Sequence, residues 1–220
     1  MAQTGIKGSK RCLQAYLSDD NKRKELEEKV CEIIRWAVKE IDWLGPKQSD
    51  DGWDWKELTG NAFWKAIEVN PKDTREFWPA RGPHWDAIAR LTLEDGSYRY
   101  VLFEAKANVQ ELKSRMRTKS DVSRKLIEGA LERYTCSAPS YYYQTRNRIA
   151  HKRFIDEKKG MVYVKLCYLI FKNDMTHIET SEDEWLTALE NEHRELGLDE
   201  GQAKELFNEI CLDASWVSND

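Results

Sequence analysis

The chain lacks several features that would assign it to a class at once. No apolar stretch approaches the ~20 residues of a membrane span, and the opening MAQTGIKGSKRCLQ lacks the apolar segment of a signal peptide. The five cysteines are odd in number and include no CxxC pair, which argues against a zinc site and favours reduced thiols. We therefore expect a cytoplasmic protein with no membrane partner.

Common catalytic signatures are missing as well. The sequence contains no Gly-rich phosphate loop, no GxSxG elbow and no HExxH helix. Its 220 residues are 34% charged and 40% hydrophobic, which is typical of a globular protein with a sizeable core. We predict one α/β domain over 1–220, with a Trp-rich irregular insertion at about 45–83 and an acidic helical part at about 180–220.

Charge is distributed unevenly along the chain. The net charge is −4, but residues 106–153 carry 12 basic and 4 acidic side chains (+8), and residues 174–220 carry 2 and 14 (−12). Such segments are usually solvated helix faces. The alternative is a cationic rim that attracts a polyanion. The acidic part could cover that rim, mimic nucleic acid or keep the protein soluble.

Periodicity predicts helices alternating with strands, and therefore an α/β fold with a central mixed β-sheet flanked by helices. The predicted helices cover 22–42, a short piece near 62–69, 120–134, 141–155, 181–192 (opened by a Ser181–Glu184 capping box) and the end of a last helix at 206–212. The predicted strands cover 84–93, 97–106 and 161–171. The clustered tryptophans predict a satellite core or, alternatively, a surface that stacks bases.

The most informative residues lie on the predicted hairpin. Glu104 and Lys106 share one face of a strand because side chains alternate along it. A three-residue turn over 94–96, with Gly96 in the left-handed region, would place Asp86 opposite Glu104. A two-residue turn would put Asp86 on the other face.

These residue types suit phosphodiester hydrolysis. Two carboxylates, with the Ala105 carbonyl as a third oxygen, can hold Mg²⁺. Lys106 can orient the attacking water or stabilise the transition state. The alternative is structural, since a Glu-x-Lys triplet on a strand is often only an ion pair.

A second polar group follows on the predicted helix YYYQTRNRIAH. Gln144, Asn147, Arg148 and His151 form one stripe at helical spacing. Gln144 could contact a phosphate or a metal-bound water. Arg148 and His151, together with Arg81, are predicted to contact nucleic acid. The alternative is an ordinary solvated helix face.

Three stretches together resemble a known superfamily. FWPARGPHWDAIAR, VLFEAKAN and YYYQTRNRIAH are similar to an uncharacterised bacterial branch of the PD-(D/E)XK, or restriction-endonuclease-like, nucleases. The resemblance implies an α-β-β-β-α-β core and hydrolysis that depends on Mg²⁺ (or Mn²⁺). It assigns metal binding to Asp86 and Glu104, gives Lys106 the role of the motif lysine, and matches Gln144 to a helical glutamine.

The resemblance leaves two points open. Trp85 stands where the motif has proline. For the helical glutamate of many members, Glu28 and Glu32 are candidates, and Gln14 could substitute. A homodimer is a further expectation, since many nucleases of this fold pair two sites.

The predicted function is a nuclease acting on nucleic acid, with DNA as substrate. The alternatives are a non-catalytic nucleic-acid-binding or protein-interaction module on the same fold, and a plain α/β domain with a surface ion pair.

Overall fold

The fold is α/β, as predicted, with helices on both faces of a mixed sheet. The computed structural model describes residues 5, 7–49 and 52–218. The helices are α1 Gly8–Ser18, α2 Asp20–Ile34, α3 Gly60–Ala66, α4 Asp121–Tyr134, α5 Tyr143–Lys159, α6 Glu182–Glu195 and α7 Glu200–Leu206, with short 3₁₀ turns at Pro71–Thr74 and Val109–Leu112. The strands are β1 Val38–Gly45, β2 Lys47–Ser49, β3 Gly52–Asp54, β4 Ala87–Leu93, β5 Tyr98–Lys106, β6 Val164–Lys172 and β7 Phe207–Asp213.

The seven strands form one sheet in the order β3-β2-β1-β4-β5-β6-β7. Pairing is antiparallel from β3 to β5 and parallel from β5 through β6 to β7. The parallel pairs need crossovers, which α4 with α5 and α6 with α7 provide. Helices α1 and α2 pack on one face, and α4, α5 and α6 pack on the other. No helix in the described part of the chain is long and apolar enough to cross a membrane.

The β4–β5 hairpin has the predicted three-residue turn. The Leu93 N–H donates to the Ser97 carbonyl at 2.9 Å, and Gly96 has a φ of 79°. The ladder pairs Thr92 with Tyr98 and Ala87 with Phe103. Continued by one residue, this register sets Asp86 opposite Glu104, on the face covered by α5.

Two predicted helices are wrong in part. The helix predicted over 22–42 ends at Ile34, because Arg35 takes a left-handed conformation (φ 58°), and 38–45 form strand β1 instead. Val38 and Ile41 kept the helical spacing, but they pair with Leu93 and Leu91 of β4. Likewise, 207–213 form strand β7 beside β6, and only Leu206 is helical. Long-range pairing decided both segments.

The helices predicted at 120–134, 141–155 and 181–192 are confirmed as α4, α5 and α6. Their ends differ from the predicted ones by a few residues, and the Ser181–Glu184 capping box is present. The predicted strand over 161–171 is β6, which lies between β5 and β7 and is buried along most of its length.

The Trp-rich segment contains the predicted short helix as α3, but it is more regular than predicted because it also contains β2 and β3. Trp64 and Trp78 are buried in a core cluster together with Phe77 and with Phe154 of α5. These two tryptophans therefore cannot stack bases. Trp53 and Trp55 stack on each other with ring centroids 5.4 Å apart and stay half-buried.

Candidate active site

The hairpin brings the three predicted catalytic residues together. Glu104 and Lys106 end β5 with their side chains on the α5 face, and Asp86 lies just before β4. Asp86 Oδ2 accepts a hydrogen bond from the Ala105 N–H at 2.9 Å. Because the N–H and C=O of one strand residue point to the same side, the Ala105 carbonyl also points toward Asp86. The predicted convergence of these groups is therefore present.

Glu104 is the hub of a buried ionic network. Its Oε1 accepts from Lys106 Nζ and from Gln144 Nε2, each at 2.6 Å. Its Oε2 faces Arg148, with Nε at 2.7 Å and Nη2 at 2.6 Å. A carboxylate offers about four acceptor positions; three of them accept these hydrogen bonds from Lys106, Gln144 and Arg148 Nε, and Nη2 adds an ion-pair contact to Oε2.

Helix α5 supplies Gln144 and Arg148 one turn apart, on the face that packs on the sheet. The Gln144 N–H donates to Ser114 Oγ at 2.8 Å, which ties the start of the helix to the preceding loop. Arg148 Nη2 also donates to the His84 carbonyl at 2.6 Å, and its guanidinium lies 4.2 Å from the Trp85 ring centroid. Arg148 is thus held by β5, through Glu104, and by the segment that contains His84 and Trp85.

When both carboxyl groups are ionised, the charges of Asp86 and Glu104 balance those of Lys106 and Arg148. Burial alone would raise the pKa of Glu104, but Arg148 and Lys106 outweigh it and lower the pKa. Burial, followed by the charge of Glu104, raises the pKa of Asp86 to about 7. The two carboxyl groups therefore have opposite pKa shifts, a pattern often found at functional sites.

The donor chemistry fits Mg²⁺ in kind but is not fully available. Asp86 Oδ1 has no hydrogen-bond partner among the described residues, and the Ala105 carbonyl points the same way. Carboxylate and carbonyl oxygens are the ligands that Mg²⁺ prefers. Glu104, however, already has both oxygens engaged by Lys106, Gln144 and Arg148. Over 7–49 and 52–218, no group of three or more His, Cys, Asp or Glu could hold a metal.

A cationic groove lies against this network. Its volume is about 950 Å³, and Gln144 and Arg148 form part of its wall. None of the described residues that line it is acidic. Its basic side chains come from the 79–84 segment, the loop before α4, and α5: Arg81, Arg115, Arg117, Lys119 and Arg148. Two of the predicted nucleic-acid contacts, Arg81 and Arg148, therefore lie in one groove.

Asp86 opens on the other side, into a small surface pocket of about 30 Å³. Gln14 of α1 lines this pocket and is almost fully buried, with its Nε2 unpartnered among the described residues. Glu28 and Glu32 are exposed on α2, and Glu28 pairs with Lys24. Of the three helical candidates, only Gln14 lies beside Asp86. Glu28 and Glu32 do not line this pocket, and their role stays a prediction.

His151 is not a surface residue, so its predicted contact with nucleic acid is wrong. It is fully buried, and its ring packs against Trp64, Phe77 and Trp78. Burial lowers its pKa to about 3. It follows Arg148 by three residues, but it lies in the aromatic core rather than in the groove.

A further buried polar cluster escaped the sequence reading. Tyr168 of β6 pairs with Glu104 in the sheet register, and Glu192 of α6 accepts a hydrogen bond from Thr145. These side chains lie behind the candidate site, away from the groove. The capping box predicted the start of α6, but no local sequence signal predicted that Glu192 contacts α5.

Comparisons of the chain with protein-family models, with curated proteins and with solved structures find no match. The functional assignment therefore depends on the geometry of the site.

Proposed function

We propose that this protein is a Mg²⁺-dependent nuclease that hydrolyses phosphodiester bonds, with DNA as its substrate and Mn²⁺ as an alternative metal. One observation carries the proposal. Asp86, Glu104 and Lys106 converge at the end of β5, and Gln144 and Arg148, which both bind Glu104, form a wall of the cationic groove.

The order of elements supports a restriction-endonuclease-like core. Helix α2, strands β1, β4 and β5, helix α5 and strand β6 follow an α-β-β-β-α-β order, and these four strands are adjacent in the sheet. The segment between β1 and β4 is then an insertion, and β7 extends the sheet beyond that core. Fold alone does not determine function, so the site must carry the argument.

The metal would be held by Asp86 Oδ1, the Ala105 carbonyl and, once released, Glu104. When bound, it would neutralise charge on the phosphoryl oxygens and acidify a water. Lys106 Nζ has three N–H donors, and two of them serve Glu104 and Gln144 at 2.6 and 3.0 Å. The third can orient the attacking water or donate to a phosphoryl oxygen.

The groove would hold the backbone of the nucleic acid. Lys and Arg side chains bind phosphates without reading sequence, and the groove presents five such side chains with no opposing carboxylate among its described lining residues. A strand lying there would pass directly over Gln144 and Arg148.

Cleavage assays test this proposal. We expect single- or double-stranded DNA to be cut with Mg²⁺ or Mn²⁺ and not with EDTA, and Lys106→Ala to abolish cutting. Lys125→Ala, an exposed lysine of α4 outside the groove lining, is the matched control. Equal activity in Lys106→Ala and wild type would mean that the cutting arises elsewhere.

The second candidate is a non-catalytic nucleic-acid-binding module on the same fold. The engagement of both Glu104 oxygens by Lys106, Gln144 and Arg148 favours it, because a structural ion network needs no metal. It predicts binding to DNA or RNA without cleavage, and no metal binding by calorimetry.

A further inference from the structure

We propose that Arg148 is a positioning residue that couples metal binding to nucleic-acid binding. In the free protein it occupies one oxygen of Glu104, and a phosphate in the groove draws it away, so that Glu104 becomes a metal ligand only when nucleic acid is bound. This inference rests on the proposed nuclease function.

The first step concerns which residues contact each oxygen of the Glu104 carboxylate. Lys106 and Gln144 share Oε1, whereas both contacts to Oε2 come from Arg148. Departure of Arg148 alone therefore frees a complete oxygen. Departure of Gln144 would free one position on an oxygen that Lys106 still occupies.

The second step is access. Arg148 lines the groove, and its Nη1 has no partner among the described residues and is not enclosed. A phosphate can therefore bind Nη1 before any existing contact breaks. Guanidinium and phosphate then favour a two-point pairing, which competes with the pairing to Glu104.

The third step is what holds Arg148 after release. The His84 carbonyl and the Trp85 ring both contact the guanidinium and belong to the segment that borders the groove. These contacts can keep the side chain at the wall while it exchanges a carboxylate for a phosphate. Arg148 then swings by a short distance and stays ordered.

Charge couples the two binding events. With both carboxyl groups ionised, the network of Asp86, Glu104, Lys106 and Arg148 is neutral, so a divalent cation alone leaves an excess of positive charge beside Arg148. A phosphate offsets part of that excess. Each ligand therefore favours the other, and by linkage the effect is the same in both directions.

Metal binding measured without turnover tests the coupling. Mn²⁺ affinity is followed by electron paramagnetic resonance, with and without a phosphorothioate DNA strand, and Asp86→Ala reports the Mn²⁺ held by the strand itself. We expect the strand to tighten Mn²⁺ binding to wild type by about tenfold or more, within the usual range of coupling. We expect Arg148→Ala without the strand to bind Mn²⁺ about as tightly as wild type does with the strand. Adding the strand to this variant should change its Mn²⁺ affinity little.

Two further variants separate the coupling from loss of structure. Arg148→Lys keeps the charge but cannot fill both contacts to Oε2, so we expect intermediate Mn²⁺ affinity. Arg117→Ala removes a groove cation that does not touch Glu104, so we expect weaker binding of the strand and unchanged Mn²⁺ affinity in its absence. A damaged fold would weaken Mn²⁺ binding by the Arg148 variants, whereas this proposal requires that these variants bind Mn²⁺ more tightly than wild type in the absence of the strand.

The failures can be told apart. If wild type binds Mn²⁺ and cuts DNA while Arg148→Ala and Arg148→Lys show no gain in Mn²⁺ affinity, the coupling is wrong and the nuclease proposal stands. If no variant binds Mn²⁺ with or without the strand, both are wrong.

Discussion

The hydroxyl of Thr145 donates a hydrogen bond to Glu192 Oε1 at 2.5 Å, and both side chains are buried between α5, α6 and the sheet. Thr145 follows Gln144 directly, so this bond fixes the helix that presents the groove wall. Glu192 Oε2 has no partner among the described residues. A carboxyl group in this position costs stability when it ionises.

Glu192 makes stability fall as pH rises. Burial raises its pKa to about 7, while the Thr145 hydrogen bond, His193 and Lys106 act to lower the pKa and Glu209 acts to raise it. Between about pH 4.5, its unfolded pKa, and pH 7, the unfolded state releases a proton that the folded state keeps. As the pH rises from 5 to 8, we expect the free energy of unfolding of Glu192→Gln to increase relative to that of wild type by up to about 3 kcal/mol.

Urea unfolding at both pH values measures this gain. Gln can accept the same Thr145 hydrogen bond. Glu190→Gln, an exposed carboxyl of the same helix, should show no pH-dependent gain. An identical pH profile for Glu192→Gln and wild type would mean that Glu192 ionises normally.

His151 has the opposite effect, because it makes stability fall as the pH falls. Burial lowers its pKa to about 3, its Nδ1 lies 2.8 Å from the Asn147 carbonyl, and Nε2 is unpartnered among the described residues. Below its unfolded pKa of about 6.5, the unfolded state takes up a proton that the folded state refuses. We expect His151→Phe to lose less stability than wild type from pH 7.5 to pH 5, by about 2 kcal/mol.

Chemical unfolding at the two pH values tests this difference, with exposed His177 as the control site (His177→Asn). A His151→Phe curve parallel to that of wild type would show that His151 is protonated in the folded protein.

The hairpin register depends on Gly96. Its φ of 79° is unfavourable for residues with a Cβ, although nothing lies within 4 Å of an added Cβ. We expect Gly96→Ala to lower the free energy of unfolding by about 1 kcal/mol from backbone strain alone. Gly129→Ala, in the exposed interior of α4 and also without contacts, should raise it by about 0.5–1 kcal/mol. Thermal unfolding of both variants measures the contrast. Equal effects would exclude a left-handed residue at the turn.

Nucleic-acid binding should depend strongly on salt. Each phosphate contact contributes to the slope of log affinity against log salt concentration. We expect Arg117→Ala to reduce that slope by about 1 and to weaken binding similarly for all sequences. Fluorescence anisotropy with two unrelated strands measures both effects. Lys125→Ala should leave the slope unchanged, and a loss confined to one sequence would mean that Arg117 reads bases.

The parts of the fold predicted from sequence were those determined locally. The turn at Gly96 sets the β4–β5 register, and Ser120 and Ser181 cap helices within one turn of themselves. The segments 38–45 and 207–213 are strands because distant partners β4 and β6 lie beside them, which no local period reveals.

The same distinction applies to the site. Asp86, Glu104 and Lys106 follow from one hairpin, so their proximity was predictable. Arg148 and His151 lie three residues apart on one helix, but one reaches Glu104 and the other enters a core of tryptophans. That separation depends on how α5 rotates against the sheet and against the segment around Trp64 and Trp78. The pairing of Arg148 with Glu104, on which the proposed coupling depends, was therefore not visible in the sequence.

Asp86 and Arg148 face different openings, the small pocket beside Gln14 and the cationic groove. A polymer in the groove would cover Arg148 and Gln144 without closing the pocket, which is large enough for a water molecule. If the groove binds a strand as proposed, ions and water would still reach Asp86 through this pocket. Diffusional access would then impose no order of binding, and under our proposal an order would arise from competition for Glu104.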